Sequence, residues 1–139
     1  MKVEWYTINR ETQGYTDIID ITKAVEENIQ KGELRFGVVN LMVIGSTASL
    51  STIEFEPGLV QDLKEVLEKL APYDFPYHHH DRWHDDNGAS HIRATLLGPS
   101  LSLPFQNKKL LLGTWQQIIL IDFDTRPRSR EIICQIMGK

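Results

Sequence analysis

Phe36-Gly37-Val38-Val39-Asn40-Leu41-Met42-Val43-Ile44, followed by the small residues Gly45-Ser46-Thr47-Ala48-Ser49, is the stretch on which the fold turns. The first run is almost continuously apolar, the pattern of a strand buried on both faces. After the small residues, Leu50 to Phe55 resumes apolar–polar alternation, so the small residues join two strands. A buried strand in the middle of a chain needs covering layers, and the flanking sequence supplies them.

Toward the N-terminus, Val3 to Ile8 and Tyr15 to Ile21 alternate in polarity and are rich in aromatic and β-branched types. With a break at Gly14 between them, two strands joined by a turn is the simplest reading. Thr22 then caps a helix through Lys31, with Ala24, Val25 and Ile29 on one face and Gly32 ending it. Toward the C-terminus, Pro57 suits the first turn of a second helix. Its apolar positions Leu59, Val60, Leu63, Val66, Leu67 and Leu70 keep a 3.6-residue period up to Ala71-Pro72.

Residues 72–88 show no hydrophobic period but hold four of the five histidines, and they read as a long ordered loop of the kind that often carries function. Asn87 caps a short helix from Ala89 to Leu97, closed by Gly98. The segments Ser100–Phe105, Lys109–Leu112, Trp115–Phe123 and Arg130–Met137 read as an antiparallel meander, with a turn at Gln106-Asn107-Lys108. The pattern predicts a β-rich α+β fold in one domain.

A chain of 139 residues that is 41% hydrophobic and 24% charged can bury a core of its own. Its longest apolar stretches, such as Leu110–Leu112 and Ile118–Ile121, are far shorter than the ~20 residues a membrane-spanning helix needs. Met1-Lys2-Val3-Glu4-Trp5 enters the alternating pattern with no apolar signal region, so a cytoplasmic location without membrane attachment is expected. Cys134 is the only cysteine, which excludes an internal disulfide and a thiolate zinc cluster. A net charge of −4 speaks against a nucleic-acid partner, yet a few local donors suffice for a small phosphorylated metabolite.

The five histidines lie close together as His78-His79-His80, His84 and His91, interleaved with Asp81, Asp85, Asp86 and Asn87. Neutral imidazoles with neighbouring carboxylates are the usual surroundings of a divalent metal, zinc first among them. The spacing names no metal, and a solvated polar loop with ordinary hydrogen bonds has the same composition. Gly45-Ser46-Thr47 offers hydroxyls and a close-approach backbone for an anion, although small residues between strands also serve as a tight turn. Arg126, Arg128 and Arg130 alternate and would project to one side of an extended segment, as phosphate forks or as surface ion pairs with Asp122, Asp124 or Glu131. Trp115 and Gln116 line a pocket or pack in the core. No Gly-x-Ser-x-Gly elbow is present, and Cys134 lies in an apolar strand.

Gly45-Ser46-Thr47-Ala48-Ser49 leading to Glu54, Asn87-Gly88-Ala89-Ser90-His91, Leu96-Leu97-Gly98, Leu112-Gly113-Thr114-Trp115-Gln116 and Arg128-Ser129-Arg130 together resemble the YjbQ-like family, from about Trp5 to Gly138. The resemblance implies a β-sandwich of mainly antiparallel strands with two or three flanking helices, assembled as a homotrimer. It also implies a thiamine-phosphate synthase activity, joining a pyrimidine diphosphate to a thiazole phosphate with release of diphosphate. In the family pattern the positions of His80 and His91 are metal or anion ligands, with a third histidine before the small-residue run. Gly45 stands at that third position here, so the ligand set this chain can assemble is expected to be His80, His84 and His91. Gly45, Ser46, Thr47, Asn87, Trp115 and Gln116 would contact substrate, and Arg93, Arg126 and Arg128 would stabilise the transferred charge. The rival is a non-catalytic trimer that binds a metabolite or a partner through the same clefts.

Overall fold

Alternating β-branched and aromatic residues draw Lys2–Thr12 (β1), Phe36–Val43 (β3), Ser100–Gln106 (β5), Lys109–Leu110 (β6) and Arg128–Gly138 (β8) into one sheet of the computed structural model, which describes residues 1–139. Its order is β1-β8-β3-β5-β6. A second sheet has the order β2-β7-β4, from Asp17–Asp20 (β2), Gln116–Asp122 (β7) and Ala48–Glu54 (β4). Every pairing is antiparallel.

The two sheets pack face to face. Val39, Leu41 and Val43 of β3 and Ile132, Cys134 and Ile136 of β8 meet Leu50 of β4 and Ile118 and Leu120 of β7 in one apolar cluster. Val25 and Ile29 of helix α1 (Thr22–Lys31) join that cluster. The other side of the small sheet presents Ile18, Ile119 and Ile121 to Leu67 of α2 (Pro57–Leu70) and Ala94 of α4 (Gly88–Leu97). Glu56 caps α2 by accepting from the Gly58 and Leu59 amides at 2.8 and 2.7 Å, and Pro57 fills the first helical position. No helix is long and apolar enough to cross a membrane.

The β-rich α+β sandwich expected from the sequence is therefore present, with four differences in detail. First, the strand covered on both faces is β7, not β3: the large sheet is covered on one side only, and Met42 and Ile44 stay about half exposed. Second, β1 and β2 form no hairpin. The turn at Gly14 (φ 82°) carries the chain from one sheet to the other, and Tyr15 N–H donates to the Asp124 carbonyl at 2.7 Å. Third, the C-terminal strands are not a meander: β7 belongs to the small sheet, and β8 lies between β1 and β3. Fourth, the histidine loop contains a short fourth helix, α3 (His78–Trp83).

Candidate functional site

The histidine segment is folded back on itself by two left-handed residues. His84 (φ 57°) closes α3, its N–H donating to the His80 carbonyl at 2.8 Å, and Asp86 (φ 56°) turns the chain toward α4. Gly88 then lies against Tyr77, so close that a Cβ would stand 2.5 Å from the tyrosine Cβ. This contact presses the start of α4 against the start of α3, and it brings His79 to His91 with ring centroids 4.5 Å apart.

Asp85 lies 3.5 Å from His79 Nε2. The Asn87 amide sits between two sets of acceptors. With its nitrogen inward it donates to His79 Nε2 at 3.1 Å and to the two Asp85 oxygens at 3.0 and 3.2 Å. In the opposite orientation it donates to Asp124 Oδ1 at 3.4 Å. Asn87 stands at the expected cap position of α4, but its side chain serves this cluster instead of capping the helix. Burial, and then the neighbouring His79, lower the His91 pKa from 6.5, while Asp85, Asp124 and the Ser46 backbone oppose that shift. His91 is thus neutral at pH 7, able to accept a proton.

Beneath the imidazoles runs a chain of buried polar groups that ties the sheets together. Asp122 continues the Ile118–Leu120 face of β7 and meets Arg130, which continues the Ile132–Ile136 face of β8. Arg130 Nε and Nη2 donate to the Asp122 oxygens at 2.7 and 2.9 Å, and Thr12 donates to Asp122 from β1. Nη2 also donates to Thr47 Oγ1 at 2.6 Å, and Thr47 donates to Asp124 at 3.1 Å. Arg128 Nη1 lies 3.3 Å from Asp124. Burial pushes the Asp124 carboxyl up, but the Thr125 amide, Asn87, Thr47 and Arg128 together hold it below its ordinary value.

The expected site residues are divided by this geometry. His91, Asn87, Ser46, Thr47 and Arg128 belong to one network of contacts with His79. His80 and His84 pair with each other instead, centroids 5.6 Å apart, and His80 Nδ1 lies 4.0 Å from Asp86. No three His, Cys, Asp or Glu side chains stand together in an arrangement able to hold a metal ion, so the set His80, His84 and His91 is not assembled. Arg93 is buried and occupied: it donates to the Ala71 carbonyl at 2.9 Å, Thr16 at 2.8 Å and Glu68 at 2.6 Å, under the Tyr73 ring. Its role is to fasten α4 to the end of α2, and no donor faces the histidines. Arg126 is exposed at the turn before β8. Trp115 and Gln116 lie at the opposite end of β7 from Asp122, Trp115 exposed and Gln116 bonded to Gly113 and Thr52.

His79, Asp85, Asp122, Asp124 and Arg130 complete the cluster; the sequence offers His79 and Asp85 only as general metal surroundings, and Arg130 as a phosphate fork or a surface ion-pair partner of Asp122 or Asp124. The Asp122-x-Asp124 and Arg128-x-Arg130 spacings carried a usable signal: each continues the inward register of an apolar strand, so the ion pairs are buried and not on the surface.

Residues 6–139 match the model of the UPF0047 protein YjbQ-like family. The chain belongs to that family. A UPF0047 protein of Archaeoglobus fulgidus is 43% identical over 87% of this chain and 91% of its own length. One from Methanothermobacter thermautotrophicus is 34% identical over the whole chain and 95% of its own. The crystal structure of a YbjQ-like protein of unknown function from Sulfolobus solfataricus P2 superposes with a TM-score of 0.93 at 31% identity, covering 99% of both chains. The YjbQ/UPF0047 protein of Clostridium acetobutylicum has a TM-score of 0.87 at 29% identity, over 95% of this chain and 99% of its own. The family membership and the sandwich fold expected from the residue motifs are thus established.

Proposed function

We propose that this YjbQ-like protein is an enzyme acting on a small phosphorylated metabolite beside His79, His91 and the Gly45–Thr47 loop. The observation that carries the reading is the His79–His91 pair, two imidazoles 4.5 Å apart beside Asp85 and Asn87, with His91 neutral. A neutral imidazole beside the Asn87 amide pairs an acceptor with a donor, and together they can orient a phosphorylated substrate and its reaction partner. Arg128, partly exposed on the same cluster, is placed to balance charge on a departing phosphate or diphosphate. The form that the family resemblance implies is the joining of a pyrimidine diphosphate to a thiazole phosphate.

The test is turnover of that substrate pair, with elemental analysis of the same samples. His79→Ala and His91→Ala are expected to lose at least ~100-fold in rate, the scale of lost substrate positioning, and His80→Ala and His84→Ala to keep theirs. Equal rates in the parent and the His91 variant would overturn the reading. We further propose that the chain forms a homotrimer through the uncovered face of the large sheet, where Trp5, Met42 and Ile133 border a groove of about 420 Å³.

A further inference from the structure

Arg130 is 3% exposed, and its donors are unequally used. Nε and Nη2 are committed to Asp122 and Thr47, whereas Nη1 has no acceptor within the chain. Nη1 faces Gly45. A Cβ built on that residue would lie 2.8 Å from Nη1, and it would meet nothing else within 4 Å except the guanidinium carbon at 4.0 Å. The absent side chain leaves an opening onto a buried cationic donor.

The backbone around the opening also has donors with no partner in the chain, at Gly45 and Ser46 open to solvent. Ile44 N–H donates to the Glu131 carbonyl at 2.9 Å, and the Thr47 carbonyl accepts from Phe123 at 2.9 Å. Between them, the amides of Gly45, Ser46 and Thr47 donate to no group of the chain. Gly45, at φ 125°, holds a backbone conformation that L side chains rarely adopt. Successive free amides beside a guanidinium N–H are donors without acceptors, the complement of an oxyanion.

We infer that Gly45, Ser46, Thr47 and Arg130 Nη1 form a seat for one phosphoryl group. The inference rests on the proposed phosphorylated substrate and names where its phosphate is held. Asp122 balances most of the guanidinium charge, so the seat works by directed hydrogen bonds to a tetrahedral oxyanion, and chloride should compete poorly. The Ser46 backbone also touches His91. A phosphate in the seat therefore leaves the rest of the substrate beside the imidazole pair.

The experiment is a titration of the full chain, labelled with ¹⁵N, by inorganic pyrophosphate. The Gly45 and Ser46 amides and the Arg130 guanidinium are expected to shift together in one saturable step. Gly45→Ala, whose methyl group would stand 2.8 Å from Arg130 Nη1 and so block the opening, is expected to weaken binding at least tenfold while the chain keeps its fold by circular dichroism. Saturable shifts confined to His79, His91 and Arg128 would overturn the seat but leave the phosphorylated-substrate reading standing. No saturable shift anywhere would overturn both.

Discussion

His91 is the residue whose protonation links the site to the stability of the chain. Its folded pKa lies below 6.5 because burial and His79 disfavour the charged ring. The unfolded chain therefore binds this proton more readily than the folded one. Its contribution favours the fold fully above about 6.5 and is lost as pH falls below that, levelling once folded His91 is itself protonated. The ring-proton resonance of His91, followed against pH, should have its midpoint below 6.5, and His79→Ala should raise it. A midpoint that stays put in that variant would mean that the two rings do not sense each other. That histidines cluster was legible in the sequence, but which two meet was not. His78, His79 and His80 are identical in type, and only the rotation of about 100° per residue along α3 turns the middle one toward α4. The arginines show the same limit. Alternation places Arg126, Arg128 and Arg130 on one side of an extended chain, yet the cover of the sandwich ends across that row, leaving Arg130 buried, Arg128 partly so and Arg126 in water.

At the scale of elements, strand and helix spans were legible because local periodicity encodes them, and partners were not, because pairing is set by contacts distant in sequence. Lys2–Thr12 pairs with Arg128–Gly138, from the other end of the chain, and a turn at Gly14 looks the same whether it closes a hairpin or crosses between sheets. The α3–α4 junction has the same character: Gly88 reads as the last residue of a loop before a helix, and its importance lies in the Tyr77 side chain above it. Gly88→Ala would place a methyl group 2.5 Å from Tyr77 Cβ, and the two helices would have to separate. Overpacking of this kind costs about 1–3 kcal/mol, which urea unfolding would measure. Because the same contact sets the His79–His91 distance, the His91 midpoint should move back toward 6.5 in this variant. Loss of stability without that movement would show that the junction supports the fold but does not position the pair.

For the whole molecule, the unequal covering of the two sheets is the feature that calls for a partner. The small sheet is buried on both faces, whereas the large one has an outer face with no layer over it. An antiparallel sheet open to water ordinarily turns polar residues outward. Here Trp5 is 63% and Met42 48% exposed, with Ile133 beside them and the polar groups of the groove limited to the bonded Asn40–Gln135 pair and the small Ser100 and Ser102. Three copies packed through this face would bury those side chains in a closed assembly with no surface left over for further growth. Sedimentation equilibrium should then give three times the 16.0 kDa mass of one chain. Met42→Glu and Trp5→Glu would each place an unpaired carboxylate in the buried face, which costs several kcal/mol, while in a single chain the same positions remain in water. Both variants should therefore sediment as folded 16.0 kDa monomers with an unchanged far-ultraviolet spectrum. A parent chain that is monomeric, or a charged variant that still forms trimers, would assign the apolar face to something other than self-association.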